Sequence, residues 1–171
     1  MTHAQSFPPI ADTHARVLIL GSLPGQTSLR MQQYYAQPQN AFWKIMGRLF
    51  GAGADVPYAE RYRKLVRSGV ALWDVCASAE RPGSLDSAIV TSSVVPNDFA
   101  AFLASHPHIH LVCFNGAKAA GLYRRLVLPD LPEAPRLVAY RTLPSTSPAH
   151  AGMRFEEKLA HWSVVKEAAG H

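Results

Sequence analysis

Apolar residues along the chain follow two spacings. Short runs rich in aliphatic and β-branched residues, Arg16 to Gly21 (RVLILG), Gly69 to Cys76, His108 to Asn115 and Arg136 to Leu143, have the length and composition of buried strands. Between them, apolar positions recur at helical spacing. Phe42, Ile45, Met46, Leu49 and Phe50 line one face of a helix that Asn40 is placed to cap and that ends near Gly51, a register that makes Phe42 and Trp43 core residues. Further helices are predicted over Pro57 to Ser68, Asn97 to Ser105, Ala117 to Leu126 and Phe155 to Ala168.

Strands alternating with helices imply right-handed crossovers and a sheet covered on both faces. The predicted architecture is an α/β three-layer sandwich, with a central, mostly parallel four-stranded sheet flanked by helices. Pro and Gly concentrate in Phe7 to Pro9, Arg81 to Gly83 and Pro129 to Pro135, all too short for linkers. No repeat is visible. With 171 residues, 48% of them hydrophobic, one compact domain with a core over about residues 16–168 is expected. Ligands of open parallel sheets bind outside the carboxyl ends of the strands. That rule selects Gly21 onward, Asp74 to Glu80, Asn115 to Lys118, and Leu143 to Ala151.

Composition narrows the function classes. Two cysteines, Cys76 and Cys113, far apart and in apolar surroundings, argue against a disulfide framework, a four-cysteine zinc site or an iron–sulfur cluster. A net charge of +5 suits a polyanionic partner, although mildly basic cytosolic proteins are common. No apolar run reaches membrane-spanning length, and Met1 to Arg16 lacks a secretory pattern, so a soluble, cytoplasmic monomer is expected.

The loops carry the candidate chemistry. GSLPGQTSL (Gly21 to Leu29) is neither a Walker loop nor a GxGxxG turn. Its glycines let main-chain amides approach a ligand, and Ser22, Thr27 and Ser28 offer hydroxyls to phosphate; a plain strand-to-loop turn is the alternative. In Gln32 to Met46 (QQYYAQPQNAFWKIM), Tyr34 or Tyr35 is suited to stacking a flipped base, and Asn40 is either a cap or a functional amide. Asn115 in FNGAK (Phe114 to Lys118) offers both a donor and an acceptor to a base edge, or is simply a turn residue before glycine. LPSTSPAHAG (Leu143 to Gly152) combines three hydroxyls with a stiff tip at Pro148, Ala149 and His150, able to press into a duplex; otherwise it is a serine-rich turn.

Taken together, GSLPG, YYAQPQNAFW, FNG and LPSTSPAHA, in this order and spacing, resemble the uracil-DNA glycosylase superfamily, most closely its hypoxanthine-DNA (deoxyinosine) glycosylase branch. The aromatic-Ala-x-Pro-x-Asn-x-Phe-Trp stretch is also similar to the mismatch-specific uracil enzymes. The resemblance covers Arg16 to the last helix. It implies a monofunctional, cofactor-free and metal-free enzyme that flips deaminated bases, hypoxanthine above all and uracil as an alternative, out of DNA and hydrolyses their N-glycosidic bond.

Residue by residue, the resemblance puts the catalytic role on Asn40, because the usual acidic or amide position of the first motif is Leu23. It puts base contacts on Gly21, Ser22, Leu23, Tyr35 and Asn115, and DNA contacts on Ser28, Lys118, Ser145, Ser147, Pro148, Ala149 and His150. Ser145 stands where the classical uracil enzymes have a histidine, so the donor to the departing base has no assigned residue. Asn40 would position the water, while the Asn115 amide and the N–H groups of 21–23 would stabilise the leaving base. Two rivals are a serine hydrolase using Ser22 or Ser147, His150 and Asp74, without a GxSxG elbow, and a non-catalytic DNA-binding domain of the same fold.

Overall fold

The computed structural model describes residues 2–133 and 137–170. Its main sheet is built from β2 (Val17–Gly21), β3 (Val70–Asp74), β6 (Leu111–Asn115) and β7 (Ala139–Leu143), in the order β3-β2-β6-β7. Every neighbouring pair is parallel, so "mostly parallel" sharpens to wholly parallel. In β2, β3 and β6 all five residues are buried. Because side chains alternate across a strand, Leu18, Leu20, Val112 and Phe114 face one layer and Val17, Ile19, Leu111 and Cys113 the other. The edge strand β7 is mostly exposed, which matches its more polar sequence AYRTL. Arg136, the expected start of that strand, lies outside the described residues, as does Pro135.

Helices α2 (Phe42–Phe50), α3 (Tyr58–Arg67) and α6 (Phe155–Ala168) cover one face, and α4 (Phe99–Ser105) and α5 (Ala117–Leu126) the other. The sandwich is thus three-layered. Helix α2 buries Phe42, Trp43, Ile45 and Met46 and ends on Gly51 in the left-handed conformation (φ 73°), as its spacing predicts. Among the described residues, no helix is long and apolar enough to cross a membrane.

Four boundaries differ from expectation. The run Gly69 to Cys76 breaks after Asp74, and β4 (Cys76–Glu80) leaves to form a second, antiparallel sheet with β1 (His3–Gln5) and β5 (Val95–Pro96). Short polar strands such as HAQ and ASAE carry no hydrophobic signature. The stretch Gly21 to Asn40 is not all loop but contains α1 (Gln26–Met31). Asn97 precedes α4, whose cap is Asp98, accepting from Ala101 N–H at 3.1 Å. His108 to His110 lie before β6, which begins at Leu111.

Candidate active site

Parallel strands deliver their carboxyl ends to one edge of the sheet, and there a cleft of about 540 Å³ opens. Its lining comes from 21–28, 34–35, 37, 40, 74, 84–87, 115 and 145–150. All four segments selected from the sequence reach it. A fifth, 84–87, carries no sequence signal.

The floor is laid by β2 and β3, where Gly21 pairs in register with Asp74. Asp74 is only 4% exposed, and its Oδ2 has no hydrogen-bond partner. A Cβ on Gly21 would stand 2.6 Å from both Asp74 Oδ1 and the Tyr35 hydroxyl, so only glycine leaves these groups room. Beside them the Ser22 hydroxyl donates to Asp86 Oδ1 at 2.6 Å. Arg81, 1% exposed, lies behind the turn and donates to the carbonyls of Leu23, Pro24 and Gly83. A buried guanidinium satisfied by carbonyls fixes the GSLPG backbone and places a positive charge near two carboxylates. Burial, then Asp86, pushes the Asp74 carboxyl up to about 7, with Arg81 acting in the opposite direction.

Tyr34 and Tyr35 diverge. Tyr34 is buried and structural: its hydroxyl donates to the Pro8 carbonyl at 2.8 Å, and its own carbonyl accepts from Trp43 Nε1 at 2.8 Å. Tyr35 adopts a left-handed backbone (φ 53°), unfavourable for an aromatic residue, and its ring stacks on Phe42 with centroids 4.1 Å apart. That twist sends its hydroxyl to the floor. Burial and then Asp74 keep the hydroxyl protonated, with Asn115 acting the other way. Asn40 Oδ1 accepts from Phe42 N–H at 2.9 Å, one residue ahead of the formal cap Ala41. An amide oxygen has two lone pairs, so one remains for a ligand.

The 143–151 loop forms the opposite wall. Asn115 and Thr146 hold each other through two buried bonds, Asn115 Nδ2 donating to the Thr146 hydroxyl at 2.9 Å and Thr146 N–H to Asn115 Oδ1 at 3.0 Å. The Thr146 carbonyl accepts from Ala41 N–H, joining this loop to the start of α2. Gly116, at φ 95°, lets the chain turn where a Cβ would stand 3.1 Å from that of Ser145. Ser145 and Ser147 hydroxyls accept from Ser147 and Ala149 N–H. Helix α6 anchors both ends, Trp162 Nε1 at the Pro144 carbonyl and Lys158 Nζ at the His150 carbonyl. Pro148, Ala149 and His150 remain exposed.

The structure therefore brings Gly21, Ser22, Leu23, Ser28, Tyr35, Asn40, Asn115, Ser145, Ser147 and the 148–150 tip to one cleft. Two placements differ from a direct DNA contact. Lys118 is half-buried, off the cleft lining and close enough to Cys76 to act on its thiol. Ser28 is buried, and its hydroxyl accepts from Ala36 N–H at 3.0 Å, an intraloop bond. Neither serine of the hydrolase reading is paired with a histidine side chain among the described residues: the Ser22 hydroxyl donates to Asp86, and the Ser147 hydroxyl accepts from Ala149 N–H.

Sequence reasoning missed Asp86, Arg81 and Lys158, counted Thr146 only among the three hydroxyls of its loop, and weighed Asp74 only as a hydrolase orienter. Asp74 had a signal, a charge ending an otherwise apolar strand (VALWD). Arg81 and Lys158 look in sequence like ordinary surface cations.

A wholly parallel α/β sheet whose carboxyl-end loops converge on one cleft, with hydroxyl, amide and carboxyl groups in its lining and an exposed rim, fits the glycosylase class, and a family model settles the class. The chain belongs to the uracil DNA glycosylase superfamily, whose model matches residues 8–167. This makes it a DNA glycosylase, an enzyme of the N-glycosyl hydrolase type with DNA as its substrate. A protein named hypoxanthine DNA glycosylase from Methanosarcina acetivorans is 36% identical over 163 residues, 94% of this chain and 96% of that protein. A second of that name, from Methanosarcina barkeri, is 39% identical over 116 residues, 67% of this chain and 72% of that one. A solution NMR structure from Methanosarcina acetivorans, described as a candidate uracil DNA glycosylase, superposes with a TM-score of 0.80 at 33% identity, covering 99% of both chains.

Proposed function

We propose that this glycosylase releases hypoxanthine from deoxyinosine in DNA, by flipping the damaged nucleotide into the 540 Å³ cleft and hydrolysing its N-glycosidic bond with a water held by Asn40. The observation that carries the reading is the convergence on one cleft of Asn40, Tyr35, Asn115 and the 145–150 rim, in a chain with a relative across 94% of its length that is named for hypoxanthine.

Cleavage places positive charge on the sugar and negative charge on the base, so the site must supply donors to the base and a water to the sugar. Asn40, at the cleft wall with its rotamer fixed by the Phe42 N–H, offers its free lone pair to that water. The stacked pair Tyr35–Phe42 offers an aromatic platform, and the Asn115 amide, held by Thr146 and reaching towards the Tyr35 hydroxyl, borders the base site. Backbone N–H groups of 21–23 border the same floor. The exposed Pro148 to His150 tip presses into the duplex where the base has left, Ser147 approaches a phosphate, and the net charge of +5 supports binding. Deaminated bases pair poorly, which lowers the cost of flipping.

The test is a panel of oligonucleotides carrying hypoxanthine, uracil, xanthine or ethenocytosine, treated with hot alkali to cut abasic sites. Hypoxanthine is expected to be released fastest. Release of none overturns the reading, and faster release of uracil reassigns the substrate. Asn40→Ala is expected to lower single-turnover excision by about 10²–10³-fold with DNA affinity nearly unchanged. Unchanged excision moves the water elsewhere.

A further inference from the structure

Two buried side-chain oxygens among the described residues lack a hydrogen-bond partner, Asp74 Oδ2 and the Tyr35 hydroxyl. Both side chains line the floor of the same cleft, and the point 2.6 Å from Asp74 Oδ1 and from the Tyr35 oxygen is the bare hydrogen side of Gly21. Asp74 Oδ1 and the Tyr35 oxygen thus lie within about 5 Å of each other against the bare hydrogen of Gly21, and Oδ2, the unpaired oxygen, belongs to the same carboxyl group in the cleft lining. Buried polar atoms are rarely left unpaired, and an unpaired carboxyl oxygen on a residue that lines a cleft points to a ligand that completes it. A flipped nucleotide is tethered by its phosphates, so it enters base first. Its sugar stays near the rim, at the exposed 148–150 tip, and the far edge of its base reaches the buried floor.

We propose that the Asp74 carboxyl is the proton donor to the departing base. This rests on the proposed release of hypoxanthine. As the bond from C1′ to the base nitrogen breaks, its electron pair goes to the purine. The Asp74 O–H breaks and its proton passes to an acceptor nitrogen or oxygen of the ring. Water adds hydroxide to C1′, and its remaining proton restores the Asp74 carboxyl through solvent. An ionised carboxylate there would repel the charge growing on the base, whereas a neutral one neutralises it.

The surroundings favour the neutral form. The groups facing Asp74 are Asp86 from the 84–87 segment, Arg81 beyond β4, the Cys76 thiol on β4, and Tyr34 and Tyr35 from the aromatic loop. Burial and Asp86 outweigh Arg81 and carry the carboxyl to about 7, which leaves a large protonated fraction at neutral pH. Burial pushes the thiol and both phenols up as well, so all three remain neutral.

The experiment is single-turnover release of hypoxanthine by the full chain on both sides of pH 7, for wild type and Asp74→Asn, on deoxyinosine and on 7-methyldeoxyinosine, whose cationic base departs without needing a proton. Wild type is expected to slow about tenfold per pH unit on the alkaline side, and Asp74→Asn to be about 100-fold slower with that limb gone. On the methylated substrate, after subtraction of spontaneous loss, the two proteins are expected to differ by no more than a few-fold. An equal deficit on both substrates overturns the proposal in favour of a structural role, and so does an Asp74→Asn variant that keeps the wild-type rate and pH limb. Wild type that releases no hypoxanthine fails at the earlier step and overturns the substrate reading together with this one.

Discussion

On the floor of the cleft, Asp74 and Tyr35 hold buried oxygens without partners, whereas the wall formed by 143–151 spends its polar groups on itself and on its neighbours. The floor is buried and rigidly backed by Arg81; the wall ends in an exposed tip. Folding alone would favour the second arrangement everywhere, because desolvated polar groups without partners cost stability. Under the proposed function, retaining the first at the end of β3 separates the place where chemistry would be done from the place where DNA would be gripped. The contrast can be broken at either end.

The largest effect belongs to the floor. The Asp74 carboxyl has an ordinary value of 3.8 and sits at about 7 in the fold, so the folded chain binds this proton more tightly than the unfolded chain. The resulting stabilisation is complete below pH 3.8 and is lost as the pH rises to about 7, a swing on the order of 4 kcal/mol. Asparagine cannot ionise and removes the swing. Urea unfolding of wild type and Asp74→Asn across this range should therefore show the variant gaining on wild type from pH 3.8 upward, with the gap level beyond about 7. Parallel stability curves would mean that Asp74 is solvated rather than buried. A variant that is more stable and less active is what a functional floor predicts and a structural one does not.

The same contrast explains what could be read in advance. The central sheet and its helices were legible because VLILG, VALWD and LVCFN bury all five positions and because Phe42, Ile45 and Met46 keep helical spacing. The cleft's location followed from the sheet rule, and Asn40, Tyr35 and Asn115 from a family resemblance. The second sheet was not legible, since its strands pair by backbone bonds without an apolar face. Nor were Arg81 and Thr146, whose roles are bonds to residues 57 and 31 positions away. Such bonds leave no local pattern. The free oxygen of Asp74 is invisible for the same reason, because what defines it is the lack of a partner in three dimensions.

An intermediate effect is expected where wall and floor are joined. Thr146→Val keeps the volume and the main-chain bond to Asn115 Oδ1 but removes the hydroxyl that accepts from Asn115 Nδ2. Leaving that buried donor unpaired should cost about 1–2 kcal/mol in urea unfolding. Excision should also weaken, since the freed amide no longer holds one orientation. Loss of activity without loss of stability would show that the hydroxyl meets the base directly instead of holding Asn115.

The smallest effect on the fold is expected at the tip. His150 is exposed, and its hydrogen bonds are main-chain ones, its N–H to Ser147 and its carbonyl from Lys158. His150→Ala preserves both, so stability should change by no more than about 0.5 kcal/mol. A wedge matters only where a base stack must be opened. The variant should therefore lose up to about tenfold in excision from duplex DNA and almost nothing from single-stranded DNA of the same sequence. Equal losses on both substrates would assign His150 to phosphate binding rather than to the wedge, and would move the opening of the duplex to Pro148 and Ala149, its exposed neighbours on the same turn.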